Sequence, residues 1–449
     1  MTGGATGRSK VADETGVRSG RRELVGQVAR SGQTAMSIGL LAFGVASYVF
    51  LAVSGRALGP SRFALVSVLW AVLYLVGGGL FIPLEQELGR SVAARQVRGV
   101  GSGALARRAG AVGLVTFAVV AVVLLVLRQP VSDLLFRGDS TFVDVLVFGI
   151  GGVGAMFFVR GLLAGSDRYF GFSLLFFADA ATKCVPTIAL ALAGVTNPVA
   201  YGLVLAVSSF AGSIVPMSRR TGIGDAGPSP AWSLLLSSLG FLLLTSFLTS
   251  VTVNIGTIAV EVLATPAQSD EAGIFLSGLV IARIPLFLFQ AVQAIMLPRL
   301  SRLAASGEMN EFRRTVRRLG IGMAAATIVG TLGSALVGPL LVKILFGPNF
   351  ALLGSRDMAL LTLASTLTMC GMAISQAQIA LHHQRQTGWA WAAATLSFLA
   401  VTAVAGPDLF QRVEFGMVAA GITATVVGAW LLRNELRHPD EHREETPAL

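Results

Sequence analysis

The chain has 449 residues, of which 54% are apolar and only 13% are charged, and its mean hydropathy is +0.73. Because a soluble domain carries about 25% charged residues, this composition excludes a water-soluble globular protein. The net charge of +10 does not indicate nucleic-acid binding, because the basic residues lie at the ends of apolar segments and act as topology signals.

Apolar stretches long enough to cross a bilayer recur along the whole chain, with short polar joints between them. A spanning helix needs roughly 20 such residues. We place twelve spans at residues 34–54, 63–84, 108–127, 141–164, 171–194, 198–217, 233–258, 272–297, 319–346, 357–381, 387–405 and 414–432. The first run is too long for a cleaved signal peptide, so we interpret it as a retained helix. The predicted fold class is an all-α membrane protein.

The distribution of basic residues orients the chain, because Lys and Arg near span ends stay on the cytoplasmic side. With the N-terminus inside, 25 of the 34 basic residues fall in inner segments and 7 in outer joints, and Lys183 and Arg283 lie within spans. Both termini are therefore expected in the cytoplasm. The predominance of Arg over Lys is typical of a GC-rich bacterial genome, which predicts the bacterial cytoplasmic membrane.

The sequence lacks the signatures of an enzyme. No lysine stands in a GxxxxGK[ST] phosphate loop, no GxSxG motif occurs, and the four histidines are not placed to bind a metal. Cys184 and Cys370 fall inside spans, where a small apolar role is expected. The outer joints are too short for a catalytic domain. We therefore expect no catalysis, no cofactor and no metal.

Short motifs recur between the two halves of the chain. The paired positions are Arg90 and Arg302, Phe136 and Phe346, and Arg168 and Arg385, at offsets of 212, 210 and 217. Six spans per copy give both copies the same orientation, so the repeat predicts two parallel six-helix bundles with a central cleft. Chance similarity between apolar segments is the alternative.

The repeat also predicts the domain boundaries. They are a basic cytoplasmic segment at 1–32, an N-terminal bundle at 33–218, a cytoplasmic linker at 219–231, a C-terminal bundle at 232–433 and a polar cytoplasmic tail at 434–449.

Charged residues inside the spans are the main candidates for function, because a charge at the bilayer centre is costly. Lys183 lies midway along span five, and Asp179 precedes it by one turn on the same face. Arg283 lies in the middle of span eight with no acidic residue within a turn, and Arg160 lies at the cytoplasmic end of span four. The alternatives are mutual neutralisation of Asp179 and Lys183, a structural role for Arg283, and snorkelling of Arg160 toward the interface.

Polar uncharged residues accompany these charges. Gln290 and Gln293 follow Arg283 in span eight, and span seven carries a stripe at helical spacing formed by Ser246, Ser250, Asn254 and Thr257. Such a stripe binds a polar ligand or, alternatively, joins neighbouring helices by hydrogen bonds. Glu85 and Glu87 lie near Arg90 at a helix end, where we expect a surface ion-pair cluster rather than proton coupling.

Five motifs in order resemble the multidrug/oligosaccharidyl-lipid/polysaccharide exporter superfamily, and within it the bacterial polysaccharide (O-antigen type) flippases. The motifs are Arg56-Ala-Leu-Gly-Pro-Ser-Arg-Phe63, the segment from Pro83 to Arg95 that starts Pro83-Leu-Glu-Gln-Glu, Asn254-Ile-Gly-Thr, Glu271-Ala-Gly-Ile-Phe275 and Leu297-Pro-Arg-Leu300. The likeness covers roughly residues 34–432. The chain departs from the usual Gly-Tyr pair of the family, having Gly273 and Ile274 instead.

The resemblance implies a V-shaped pair of bundles that moves a polyprenyl-diphosphate oligosaccharide from the inner to the outer leaflet by alternating access, in association with polysaccharide synthesis enzymes. Its lipid headgroup would contact Lys183, Arg283 and Arg160. Its glycan would contact Asn254, Ser250, Gln290 and Gln293. Asp179 would hold Lys183 in place or bind a coupling H⁺ or Na⁺.

Three other functions stay open at this point. They are an ion-coupled drug or metabolite exporter of the same superfamily, a polysaccharide polymerase, and a membrane scaffold that transports nothing. The short outer joints argue against the polymerase.

Overall fold

A computed structural model describes residues 34–217, 225, 227–229, 232–381 and 383–437. The predicted basic segment 1–32 lies outside the described residues, as do most of the linker 219–231 and residues 438–449 of the tail. The first residues of that tail are helical, because the last helix continues to Arg437.

The described residues form fourteen α-helices and contain no strand. The helices are α1 (Thr34–Leu58), α2 (Pro60–Val97), α3 (Gly103–Val126), α4 (Arg128–Leu135), α5 (Thr141–Gly165), α6 (Tyr169–Leu192), α7 (Pro198–Met217), α8 (Trp232–Leu263), α9 (Ser269–Ala282), α10 (Ile284–Ala305), α11 (Met309–Phe346), α12 (Ser355–Ala380), α13 (Gln384–Val404) and α14 (Leu409–Arg437).

Twelve helical segments are long and apolar enough to cross a membrane, as the sequence predicts. The eighth span runs from Pro266 to Phe289 and is broken at Arg283, between α9 and α10. Pro285 explains the break, since its ring removes a backbone donor and crowds the preceding turn. The helices α2 and α11, at 38 residues each, are much longer than their predicted spans.

The helices form two sets that repeat the same packing. In α1–α7 (the N half), α5 packs against α3 and α7, and α6 packs against α7. In α8–α14 (the C half), α12 packs against α11 and α14, and α13 packs against α14. The two halves meet mainly where α2 lies along α8 and α9. This arrangement is the predicted pair of like-oriented bundles.

We name the two ends of the molecule by their residues. The basic end is where α2 ends and α3 begins, and it carries Arg90, Arg95 and Arg98. The far end is where α1 ends and α2 begins. There Gly59 has a φ of 73°, which glycine adopts without strain, and Pro60 occupies the first position of α2. These residues form the turn of the Leu-Gly-Pro motif.

Side chains from both halves close the far end. Arg137 of the N half makes a two-bond ion pair with Glu261 at the end of α8, with distances of 2.6 and 2.8 Å, and also donates to the Ser61 hydroxyl. The Ser61 backbone N–H donates to Asp270 at the start of α9. We call Ser61, Arg137, Glu261 and Asp270 the far-end cluster. Just below it, Phe63 packs against the Phe346 ring at 5.3 Å.

The outer surface of the helices is apolar. The helices α3 and α11 are mostly exposed and present large apolar side chains all along their length. Examples are Leu114, Val119, Val122, Ile328, Leu332 and Leu336. Lipid is the environment that such a surface requires, so α3 and α11 lie at the periphery of the membrane domain.

Candidate functional site

Lys183 and Asp179 form a buried ion pair inside the N half. The Lys183 Nζ lies 2.8 Å from Asp179 Oδ2, and both side chains are 1% exposed. The spacing of four residues on α6 produces this contact, as the sequence predicts. The Lys183 ammonium also lies over the ring of Phe43 from α1, at 4.6 Å from the ring centroid. One oxygen of the pair, Asp179 Oδ1, has no hydrogen-bond partner among the described residues.

Arg160 pairs with Glu85 rather than lying free at the surface. The Arg160 Nη2 is 3.1 Å from Glu85 Oε1, and the guanidinium packs over the Phe157 ring at 4.7 Å. The predicted cluster of Glu85, Glu87 and Arg90 is therefore divided. Only Glu87 binds Arg90, because Glu85 points from α2 toward α5.

Tyr74 lies near both ion pairs. It lies on α2, and its hydroxyl is within electrostatic range of Lys183, Asp179 and Arg160. The N half therefore holds one polar cluster whose two acidic and two basic side chains balance in formal charge. This balance favours the interpretation that Lys183 and Asp179 neutralise each other.

Arg283 differs from this cluster because it has no counterion among the described residues. It is 5% exposed and lies at the break between α9 and α10. Its Nη2 donates to the carbonyl of Val253 on α8 at 2.6 Å, and it lies within electrostatic range of Tyr48 on α1. No carboxylate of the described residues is within 4 Å of its guanidinium. The Tyr48 hydroxyl is buried and also lacks a described hydrogen-bond partner.

The helix break supplies partial compensation for the buried charge. The C-terminal end of α9 carries the negative end of the helix dipole, and Arg283, whose backbone N–H donates to the last carbonyl groups of α9, follows it directly. Dipoles of this kind contribute about 0.3–1 kcal/mol, rising to ~2 kcal/mol in partly buried geometries, which is less than the several kcal/mol that burial of a cation costs. The helix dipole therefore offsets only part of the cost of burying Arg283.

A chain of aromatic rings joins Arg283 to the polar cluster of the N half. Tyr74 contacts Trp70 at 5.1 Å, Trp70 stacks on Phe287 at 6.2 Å, and Phe287 meets Tyr48 at 5.3 Å. We call these four residues the aromatic bridge. It crosses from α2 to α10 of the other half and back to α1. The sequence analysis missed it, although Trp70 and Tyr74 are spaced one turn apart on α2.

The remaining residues predicted to bind the glycan lie on α8 and α10, and each has different neighbours. Asn254 is 6% exposed and donates to the Ser250 carbonyl on its own helix. A Cβ atom at Gly78 of α2 would lie 2.9 Å from the Ser250 hydroxyl, so this part of the stripe packs against the N half. Gln293 is half-buried, and the side chain of Gln290 lies outside the described residues. This packing favours helix association for Ser250.

Removal of Lys183 alone should destabilise the folded protein more than removal of both Lys183 and Asp179. We expect Lys183→Ala to lower the free energy of unfolding by about 3–5 kcal/mol, because it leaves the Asp179 carboxylate buried and unpaired. The double variant D179N/K183M should recover most of the loss. Chemical unfolding in detergent measures both values, and Arg128→Ala, which breaks the exposed Arg128–Asp144 pair, should change little.

The same variants separate structural from functional roles. A double variant that is stable and fully active would show that the pair only neutralises itself. A stable double variant without transport would assign cargo binding or ion coupling to Lys183 or Asp179. Until then, both roles stay predictions.

Comparisons with known proteins identify the fold. No family model matches the chain. It is 26% identical over 407 residues to uncharacterized proteins of two Mycobacterium tuberculosis strains, H37Rv and CDC 1551, covering 83% of this chain and 85% of each relative.

The similar solved structures are transporters, not enzymes. An inward-facing conformation of a multidrug resistance MATE family transporter of the MOP superfamily matches with a TM-score of 0.69 and 16% identity, over 91% of this chain and 99% of that one. The outward-facing conformation of such a transporter matches with 0.67 and 14%, over 92% and 97%. A Vibrio cholerae MATE transporter matches with 0.65 and 15%, over 92% and 97%.

These similarities establish that the chain has the fold of MATE transporters, which confirms the predicted two-bundle membrane protein. They do not extend to the polysaccharide flippase branch that the sequence motifs resemble.

Proposed function

We propose that this protein is an alternating-access exporter of an anionic, amphipathic molecule. The observation that carries the proposal is Arg283, a buried guanidinium without a described carboxylate partner, placed where the two halves meet. An anion bound there would supply the missing charge. The aromatic bridge beside it offers flat apolar faces to the rest of the cargo.

Alternating access follows from the fold and from the far-end cluster. Bundles of this kind rock about a central site that opens to one side at a time. In the present conformation the far end is held shut by Arg137, Glu261, Ser61 and Asp270. By the positive-inside rule the basic end faces the cytoplasm, so cargo enters from the cytoplasm and leaves at the far end.

A small anionic drug or metabolite is the first candidate cargo. The solved structures with this fold include transporters named for multidrug resistance, which supports the exporter of small molecules that the sequence analysis kept as its alternative. The site adds a preference in charge, because Arg283 would repel a cationic drug at close range.

A lipid-linked oligosaccharide is the second candidate cargo, and one specific observation favours it. A polyprenyl diphosphate is an anion attached to a long hydrocarbon chain, and Arg283 is a buried cation within the eighth span, Pro266–Phe289. Association with polysaccharide synthesis enzymes belongs to this candidate only.

Transport by the purified protein in liposomes tests both candidates. We would compare an amphipathic carboxylate dye with its uncharged ester and a cationic amine of the same ring system, and in a separate arm measure access of a short-chain prenyl-diphosphate sugar to the opposite leaflet. The proposal expects the carboxylate or the diphosphate to move at least about tenfold faster than the amine, which corresponds to about 1.4 kcal/mol. Faster movement of the amine would overturn it, and movement of the diphosphate alone would select the lipid-linked cargo.

A further inference from the structure

Glu414 is a carboxyl group that the proposed cargo site does not use. It lies in the second turn of α14 near the far end, within the C half, and is 0% exposed. Neither of its oxygens has a hydrogen-bond partner among the described residues. A carboxylate in such surroundings would be costly, so the group is more stable when it carries a proton.

The charged groups around Glu414 do not neutralise it. They are Arg356 and Asp357 at the start of α12 and Asp408 just before α14, and the described parts of α8, α9 and α13 contribute none. Arg356 is exposed and lies over the Phe415 ring at 5.7 Å. Asp357 and Asp408 accept hydrogen bonds from the backbone N–H groups of Gly354 and Gln411 and do not contact Glu414 through a hydrogen bond. Two carboxylates and one exposed cation leave a negative environment, which also favours the protonated form.

A metal ion is a poor alternative occupant. A bound Na⁺ or Ca²⁺ needs several oxygen ligands around it, whereas the Glu414 oxygens have no polar partner among the described residues. The described residues also contain no cluster of three metal-binding side chains. The expected ligand is therefore a proton.

Glu414 is connected to the far-end cluster through α9. One turn before it, Phe410 packs against Phe275 of α9 at 5.3 Å. The same helix carries Asp270, which accepts a hydrogen bond from the Ser61 backbone N–H. It also carries Gly273, where α9 packs so closely on α2 that an added Cβ atom would lie 1.9 Å from the Pro60 carbonyl oxygen. Separation of α9 from α2 would therefore disturb the packing that keeps water away from Glu414.

We propose that Glu414 is a proton-binding site of the C half, which holds its proton while the far end is closed and releases it to water when α9 separates from α2. The carboxylic acid becomes a carboxylate and the proton passes to water, with no other reactant. This site would exist whatever cargo the protein carries.

Infrared spectroscopy of the full chain in lipid bilayers tests the site directly, because a protonated carboxyl has its own C=O band that shifts in D₂O. Glu435 is also buried without a described partner, so the measurement is made in an E435Q background. We expect the band at neutral pH, its loss in E414Q, and its retention in E87Q, since Glu87 is already bound to Arg90. An unchanged band in E414Q would overturn the proposal, and so would a band that responds to Na⁺ at constant pH.

Coupling to the far end is tested by titrating the band. The variant E261Q breaks the pair with Arg137, and we expect it to lose the Glu414 proton at a pH lower by about one unit or more. Identical titrations with and without E261Q would remove the coupling.

Thermal unfolding provides a check on folding. E414Q should unfold at the same temperature as the unchanged protein below about pH 4, where Glu414 is protonated in both the folded and the unfolded chain, and at an increasingly higher temperature as the pH rises from there to neutral. A loss of stability in E414Q that is independent of pH would indicate a structural role and contradict the proposal.

Discussion

Replacing Arg283 with alanine is expected to reduce transport of an anionic cargo by about 30-fold or more. Truncating one partner of a buried, hydrogen-bonded charge pair costs about 2–5 kcal/mol, and 1.4 kcal/mol corresponds to a factor of ten. The loss should appear mainly as weaker cargo binding. Initial rates in liposomes over a range of cargo concentrations measure it.

A matched variant controls for charge alone. Arg299→Ala removes the same side chain from an exposed position on α10, the helix that follows Arg283, and should leave the rate within about a factor of two, since an exposed charge contributes about 0–1 kcal/mol. Arg283→Lys retains a cation without the forked guanidinium and should fall between the two. Equal rates for R283A and R299A would contradict the assignment of Arg283 to cargo binding.

The helix break offers a structural explanation that the same variants address. If Arg283 only stabilises the end of α9, R283A should lower the unfolding temperature while transport per folded molecule stays unchanged. If Arg283 binds cargo, R283A should lower the unfolding temperature little or not at all. The lost hydrogen bond to Val253 is then offset, because the variant also removes a buried charge without a described counterion.

Breaking the far-end cluster should open the far end. Arg137→Ala leaves Glu261 buried at 3% side-chain exposure without its cation, a loss of about 3–5 kcal/mol for the closed conformation. Opening relieves this cost because water then reaches Glu261. We expect the population open at the far end to increase at least about tenfold.

A cysteine at Ser67 reports this opening. Ser67 is 3% exposed and lies on α2 between Phe63 and Trp70 at helical spacing, on the face that meets the C half. In a chain without Cys184 and Cys370, a membrane-impermeant maleimide should label S67C slowly, and at least about ten times faster after Arg137→Ala.

Two further variants make the test specific. Arg128→Ala breaks an exposed ion pair at the same end but within the N half, so labelling should not change. The exchanged pair R137E/E261R should restore slow labelling. Two results would show that the cluster does not hold the far end shut: faster labelling of S67C after Arg128→Ala, or no acceleration of labelling after Arg137→Ala.

The features that the sequence predicts well are those set by local composition. Spans follow from apolar length, and the contact between Asp179 and Lys183 follows from their spacing on one helix. The contact between Arg137 and Glu261 could not be predicted, because 124 residues separate them and only the packing of the halves brings them together. Burial is equally non-local, so Glu414 resembled an ordinary residue at the edge of a span.

Some local signals were available and were missed. Pro285 lies two residues after Arg283 and marks the end of a helix, so the broken span could have been predicted. Glu85 and Glu87 show where local signals are not sufficient. Helical spacing lets Glu87 pair with Arg90 three residues later and places Glu85, five residues before Arg90, on another face, but only the position of α5 decides that Glu85 binds Arg160.

The length of α2 and α11 has a mechanical consequence. At about 1.5 Å per residue each measures about 57 Å, while the hydrocarbon core is roughly 30 Å thick. If a helix of this length tilts by about 10°, one end moves sideways by about 10 Å relative to the other end. The two helix ends at Val97 and Met309, both at the basic end, would amplify any rocking of the halves and turn a small rotation of the bundles into a large displacement of these ends.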